Sequence, residues 1–317
     1  MSAVLAITFP FFALVLCGYA ATRRGMLLPA AIQGLNGFVL YFALPCLLYR
    51  FGARTPIGQL LDVGSFAVYL GCALVMVALA VALTRRGRIG WNDAAFGALV
   101  AAFPNTGFMG VPLLATLLGA ASAGPVIQAV AIDMVITSSL CIALSRLDGA
   151  GRHGMAAALR HALRGMAGNP MPWAIVLGGL ASATGVALPG PVDRTVALLA
   201  EAATPVALFT IGAVLARSRM DAAAPLPAAE WLSVVVLKLF VHPLLVLGAG
   251  RAAIALGLPL APLTLTALVL VAALPSASNV SLLAGRFGAD NGRIAQIILA
   301  TTALAFLTFS AAVALMV

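Results

Sequence analysis

The sequence predicts an all-α polytopic membrane protein. Its ten transmembrane helices form two inverted five-helix repeats, with helices four and nine broken and crossing. Three observations predict this. Of 317 residues, 63% are hydrophobic and only 9% are charged, with a mean hydropathy of +1.11. A soluble domain of this size needs more charge on its surface. The apolar runs are about 20 residues long, the length that spans a bilayer as a helix, and not the short alternating segments of a membrane barrel. Finally, prolines and glycines recur along the chain at a fixed offset.

Reading apolar runs against turn signals places the spans at 3–22, 32–51, 63–84, 92–118, 123–146, 170–188, 194–217, 229–250, 260–285 and 291–316. The first is read as a retained span. No basic segment precedes it, and Leu16, not a small residue, stands before Cys17, which argues against a signal peptide. The fourth and ninth are long because each is broken. Cys17, Cys46, Cys72 and Cys141 all fall inside apolar runs without a CxxC or Cys/His cluster. They read as small buried hydrophobes, not as disulfides or metal ligands.

The formal net charge is +9. The arginines stand in short clusters between apolar runs, without interleaved aromatics, so they read as topology determinants and not as a nucleic-acid surface. One set of loops holds Arg23, Arg24, Arg85, Arg86, Arg88, Arg146, Arg152, Arg160, Arg164, Arg217, Arg219, Arg286 and Arg293; the other holds Arg50, Arg54, Arg194 and Arg251. The positive-inside rule puts the first set in the cytoplasm. The expectation is a multi-pass protein of the cell inner membrane with both termini outside the cytoplasm. The longest loop, 147–169, is then cytoplasmic and basic. Ala156–Arg164 reads either as an amphipathic helix on anionic lipid or as a solvated linker.

At an offset of 160, Pro10 matches Pro170, Gly18 matches Gly178, Gly25 matches Gly185, Pro29 matches Pro189, and Pro45 matches Pro205. At an offset of 171, LVAAFP ending at Pro104 matches LVAALP ending at Pro275. The repeats are then residues 1–146 and 170–317, joined by the loop 147–169. Five spans is an odd number, so the second repeat enters the membrane from the opposite side.

Each repeat carries proline followed by polar and small residues where a span should be unbroken. Proline removes a backbone donor and clashes with the preceding turn, and in lipid the freed groups need partners inside the protein or in a water-filled cavity. Breaks at matching places in two halves point to a secondary transporter's binding site; a proline that merely kinks a packed helix is the plainer alternative. The candidate substrate-binding residues are Pro104, Asn105, Thr106, Pro275, Ser276, Ser278 and Asn279. Half-helix N-termini carry free N–H groups and partial positive charge. With neutral amides and hydroxyls beside them, they suit a carboxylate. Gly107 and Gly110 allow close backbone approach.

Ionisable residues inside spans default to functional candidates. Asp133 in span five and Lys238 in span eight are read as a coupling pair that carries a proton, with a static salt bridge as the alternative. Glu201, one turn before Pro205, reads equally as functional or as a structural residue or one near a headgroup. His242, one turn after Lys238 and before Pro243, reads foremost as a helix-packing residue, with tuning of that pair as the alternative.

These features favour a secondary active transporter of small organic anions by alternating access. A channel or transporter-like sensor is the alternative. An intramembrane enzyme is disfavoured because no GxSG, HExxH or aspartate-rich motif occurs, and the absence of a nucleotide-binding motif disfavours ATP-driven transport. No cofactor is expected.

The stretches FPNTGFMGVPLL, from Phe103, and AALPSASNVSLLAGRFGAD, from Ala272, resemble the auxin efflux carrier family, which includes plant PIN-type carriers and bacterial transporters. The ten-span layout extends the resemblance over the whole chain. The central loop is shorter than in many plant members, and Ser276 stands where PIN-type carriers have a larger polar residue. The resemblance implies a crossover of two broken helices, an elevator-like transport domain moving against a scaffold, and a homodimer joined through spans two and seven. It also implies a fold similar to sodium/proton antiporters and bile-acid symporters. The implied substrates are carboxylates such as indole acetate or the dicarboxylates malonate and malate, with a proton or sodium as the coupling ion.

Overall fold

The protein is described from a computed structural model covering residues 2–85, 89–147, 168, 170–221 and 227–317. Ala156–Arg164 and most of the basic central loop lie outside the described residues. So do Arg86, Arg88, Arg152, Arg160 and Arg164.

The described residues are helical, apart from turns, connecting segments and one isolated antiparallel bridge. In chain order the helices are α1 (Ser2–Arg23), α2 (Pro29–Arg54), α3 (Val63–Thr84), α4 (Trp91–Ala102), α5 (Thr106–Leu118), α6 (Ala120–Ser145), α7 (Pro170–Thr184), α8 (Gly190–Asp221), α9 (Ala228–Ala255), α10 (Pro262–Ala273), α11 (Val280–Arg286) and α12 (Asn291–Met316). Among the described residues, six helices are long and apolar enough to cross a membrane unaided. The shorter α4–α5 and α10–α11 occupy the fourth and ninth expected spans as two consecutive pieces each.

The ends follow local chemistry. Asp62 accepts a hydrogen bond from the Ser65 N–H at 2.8 Å and caps α3, and Asp290 does the same for Arg293 N–H at 2.9 Å at the start of α12. Pro29 and Pro262 stand in the first turns of α2 and α10, where the missing N–H costs no bond. Gly25 and Gly185, 160 positions apart, both end a helix at positive φ, 72° and 68°, which glycine adopts without strain.

Inside the helices, three widened turns at Val39–Ala43, Thr106–Gly110 and Leu237–Val241 are each followed two residues later by proline: Pro45, Pro112 and Pro243. A turn with bonds to the fifth residue back relieves the clash between the proline ring and the preceding carbonyl. A fourth widened turn, Ile132–Thr137, carries Asp133 and has no such proline.

The helices pack as two groups. In one, α1 lies along α8 and α2 along α7, with α2 and α8 also in contact. In the other, α3, α4 and α6 pack together, α9 packs on α3, α10 and α12, and α11 packs on α12. The pairings of the first group depend on glycine. A Cβ on Gly212 would strike the Val15 carbonyl and lie 2.7 Å from Tyr19 N, and one on Gly18 would strike the Phe209 carbonyl. In the other pairing, a Cβ on Gly178 would lie 2.6 Å from the Tyr49 carbonyl oxygen and one on Gly52 would lie 3.2 Å from Gly178. Gly18 and Gly178, and likewise Gly52 and Gly212, are 160 positions apart. The same close-approach device therefore occurs twice. In a bilayer, where apolar burial drives little, such close packing is what holds helices together.

The outer faces are apolar. Tyr41, Phe42, Trp173, Leu177, Leu180, Phe240, Leu244 and Leu307 are exposed, as expected of residues facing lipid. The sequence is thus that of a multi-pass, membrane-embedded helical protein.

Candidate functional site

Helix α4 stops at Ala102 because Pro104 cannot continue it, and α10 stops at Ala273 ahead of Pro275. The two interruptions meet. Asn105 N–H donates to the Pro275 carbonyl at 2.8 Å, and Ala277 N–H donates to the Phe103 carbonyl at 3.0 Å. This reciprocal pair is the isolated bridge between Pro104 and Ser276. Each break thereby satisfies backbone groups that the other break freed. Gly110 makes the approach possible: a Cβ there would lie 2.6 Å from Leu274 Cδ1. Gly107 has nothing near its missing Cβ and borders open space instead.

The helix ends at the crossing are closed selectively. Ser276 Oγ donates to the Val100 carbonyl at 2.6 Å, in the last turn of α4. Lys238 Nζ donates to the Ala272 carbonyl at 3.0 Å, in the last turn of α10. Both supply donors to carbonyls that a helix end leaves orphaned, and the lysine adds charge at the negative pole. At the start of α5, Thr106 N–H bonds the Pro104 carbonyl while Met109 and Gly110 N–H share the Asn105 carbonyl. The N–H groups of Gly107 and Phe108 are left over, as first-turn donors.

Asn105 is 2% exposed, and its Oδ1 is buried without a hydrogen-bond partner; Asn279 Oδ1 is in the same condition. Both asparagines line one small cavity, together with Pro104, Gly107, Phe108 and Met134. Buried amide oxygens without a donor are uncommon in folded proteins, and each of these side chains also carries an Nδ2 that can donate. Of the sequence-predicted residues, Pro104, Asn105, Thr106, Pro275, Ser276, Ser278 and Asn279 all gather here. They divide into classes. Pro104, Pro275 and Ser276 form the crossing itself, with the Ser276 hydroxyl spent on Val100. Thr106 is fully buried, its hydroxyl 3.5 Å from the Pro104 carbonyl. Ser278 opens on a second cavity beside the first.

Asp133 and Lys238 are both fully buried, and each has its own partners. Asp133 accepts from Tyr69 Oη at 2.8 Å and from Thr137 Oγ1 at 3.2 Å. Lys238 Nζ lies 3.0 Å from His242 Nδ1 and bonds Ala272. The Tyr69 and His242 rings are 6.2 Å apart and close the gap between the two sets. Helices α3, α6 and α9 thus supply two buried polar sets, adjacent through these rings, and the second ends on α10 beside the crossing. His242 is part of the second set, with Nε2 buried and unpartnered, and not merely a packing residue. Glu201 is exposed on α8, outside the cluster.

The sequence reading missed three residues. Tyr69 stands in the apolar run of span three, where a tyrosine hydroxyl is the available signal. Arg293 was assigned to a cytoplasmic loop. It is in fact buried, its Nε donating to the Glu230 carbonyl at 2.7 Å and its Nη1 to the Asp93 carbonyl at 2.9 Å. It ties together the starts of α4, α9 and α12, and Gly97 leaves room for its head. Thr301 accepts the Ser276 N–H at 3.3 Å. Nothing in the sequence links these residues to their partners.

Comparison with known proteins places the chain. A family model described as membrane transport protein matches residues 3–313. A Rhizobium meliloti (strain 1021) protein, named provisionally as a malonate transporter, is 29% identical over 311 residues, covering 97% of this chain and 94% of that one. The uncharacterized transporter YfdV of Escherichia coli (strain K12) is 29% identical over 284 residues, covering 88% and 86%. Auxin efflux carrier component 2 of Arabidopsis thaliana is 29% identical over 150 residues, covering 46% of this chain and 23% of the plant protein. With that match spanning nearly the whole chain, and with a helical, apolar body built around two crossed breaks, the protein is a membrane transporter, not an enzyme, and belongs to the auxin efflux carrier family.

Proposed function

We propose that the protein is a secondary active transporter of small carboxylates, working by alternating access with the substrate held at the crossing. The observation that carries this reading is the meeting of two helix breaks at one cavity lined by Asn105 and Asn279, whose amide Nδ2 donors make no hydrogen bond among the described residues. Amide donors and first-turn N–H groups bind a carboxylate without a fixed counter-charge. Binding of that kind is moderate, which permits release. The names of the relatives, malonate and auxin, point to organic acids as the substrate class.

In this reading the ten spans are two inverted repeats, supported by the offsets in Pro, Gly and the paired glycine contacts. The group α3–α6 with α9–α12 carries the substrate as an elevator. The group α1, α2, α7 and α8 is the scaffold, and it forms the homodimer through the lipid-facing side of α2, where Tyr41 and Phe42 are exposed. Leu208 of α8 is fully buried, so the contact does not run through that residue. The protein lies in the inner membrane with both termini outside the cytoplasm. Asp133, bonded to Tyr69, and Lys238, bonded to His242, couple transport to protons by changing charge beside the end of α10.

Uptake of radiolabelled malonate and monocarboxylates by the purified protein in liposomes tests this. Saturable flux that is accelerated by internal substrate is expected, with weaker apparent affinity in Asn105→Ala. Large uncoupled currents indicate a channel, and absence of flux with retained binding indicates a sensor.

A further inference from the structure

The crossing has a second cavity, and it is built differently. Phe108 lines both. The second cavity takes Asn36 from α2, Thr210 and apolar residues from α8, and Ser278 and Ser281 from beside the second break. No acidic or basic side chain lines it. The Thr210 hydroxyl is spent on the Val206 carbonyl at 2.6 Å, and that of Ser281 on Asn291 Oδ1 at 2.8 Å. The Asn36 amide and the Ser278 hydroxyl make no side-chain hydrogen bond among the described residues, and both residues are half-buried. One belongs to the α1–α2–α7–α8 group and the other to the crossing. Phe108 lines both cavities, and the consecutive residues Ser278 and Asn279 line one each, so the two adjoin.

We propose that Asn36 and Ser278 hold the second carboxylate of a dicarboxylate whose first is held at Asn105 and Asn279. This makes Asn36 a specificity-determining residue. The proposal rests on the carboxylate reading of the crossing. A dianion whose far end reaches Asn36 bridges the two helix groups, and a monocarboxylate cannot. Asn36 Nδ2 and the Ser278 hydroxyl can donate to a carboxylate, and the apolar wall from α8 leaves a polar end these two to pair with.

The test is competition of unlabelled malonate and propionate against labelled substrate in liposomes, with wild-type protein, Asn36→Leu, the milder Asn36→Ser, Ser278→Ala and Asn105→Ala. Wild type is expected to prefer malonate. Both Asn36 variants should weaken malonate about tenfold or more, the size expected for lost hydrogen bonds to a charged group, and leave propionate nearly unchanged. Ser278→Ala should weaken malonate as well. Equal affinity of the wild type for both acids overturns the proposal. So does a parallel loss of both acids in Asn36→Ser with an unaltered size-exclusion profile, which indicates a packing role. If Asn105→Ala leaves both acids unaffected, or wild type takes neither, the carboxylate reading of the crossing fails instead.

Discussion

Asn105 and Ser276 stand on opposite strands of the same bridge, and the structure assigns them opposite energetic roles. Ser276→Ala removes a hydroxyl bonded at 2.6 Å to the Val100 carbonyl in a fully buried setting. A buried acceptor left unpaired costs about 1–3 kcal/mol, and side-chain bonds between membrane helices average nearer ~0.6 kcal/mol, with a maximum of about 1.7. A loss of roughly 1–2 kcal/mol is therefore expected. Asn105→Ala removes an amide whose Oδ1 has no partner. The folded protein already bears that unsatisfied group, so its deletion should leave stability unchanged or slightly improved. Substrate binding should suffer instead. A donor lost to a carboxylate is worth about 1.5–3 kcal/mol, roughly 10- to 150-fold in Kd. Two measurements separate the roles: the thermal unfolding midpoint of each purified variant, and malonate affinity by titration calorimetry. The expected pattern is a lower midpoint for Ser276→Ala and weaker binding for Asn105→Ala. An Asn105→Ala protein that unfolds as early as Ser276→Ala and binds malonate like wild type would refute the reasoning.

Asp133→Asn should bind substrate and lose the pH dependence of uptake, because the titrating group is gone; a persistent pH profile in a well-folded variant removes Asp133 from coupling. Lys238→Met orphans the Ala272 carbonyl and should destabilise by about 1–3 kcal/mol. Adding Asp133→Asn should recover part of that loss, since a lone buried charge is the costlier state; purely additive losses in thermal unfolding argue that the two sites do not interact. Gly212→Ala and Gly178→Ala should each cost about 1–3 kcal/mol through overpacking at backbone contacts, and a midpoint unchanged in either would contradict the helix contact it tests. Tyr41→Cys should crosslink to a second copy in membranes, whereas a cysteine at the buried Leu208 should not.

Much of the architecture was legible in the chain. Apolar run length depends only on bilayer thickness, so helix positions followed from composition. Pro104 and Pro275, each followed by polar and small residues, marked the breaks, whereas Pro10 and Pro205 sit inside continuous helices. The repeat offset linked Gly18 to Gly178 and Gly25 to Gly185 before any contact was known. Tertiary structure decided which side chains at the breaks are free. Sequence treats Asn105, Ser276 and Ser278 alike, as small polar residues after a proline. Only the crossing spends the Ser276 hydroxyl on Val100 and leaves Asn105 unpaired, because that depends on a carbonyl 176 positions away. The same holds for Lys238, whose partners are His242 and Ala272 and not Asp133, and for Arg293, whose charge suggested a loop. Charge and polarity are properties of a residue, but satisfaction is a property of its neighbours, and those are set by packing across the chain.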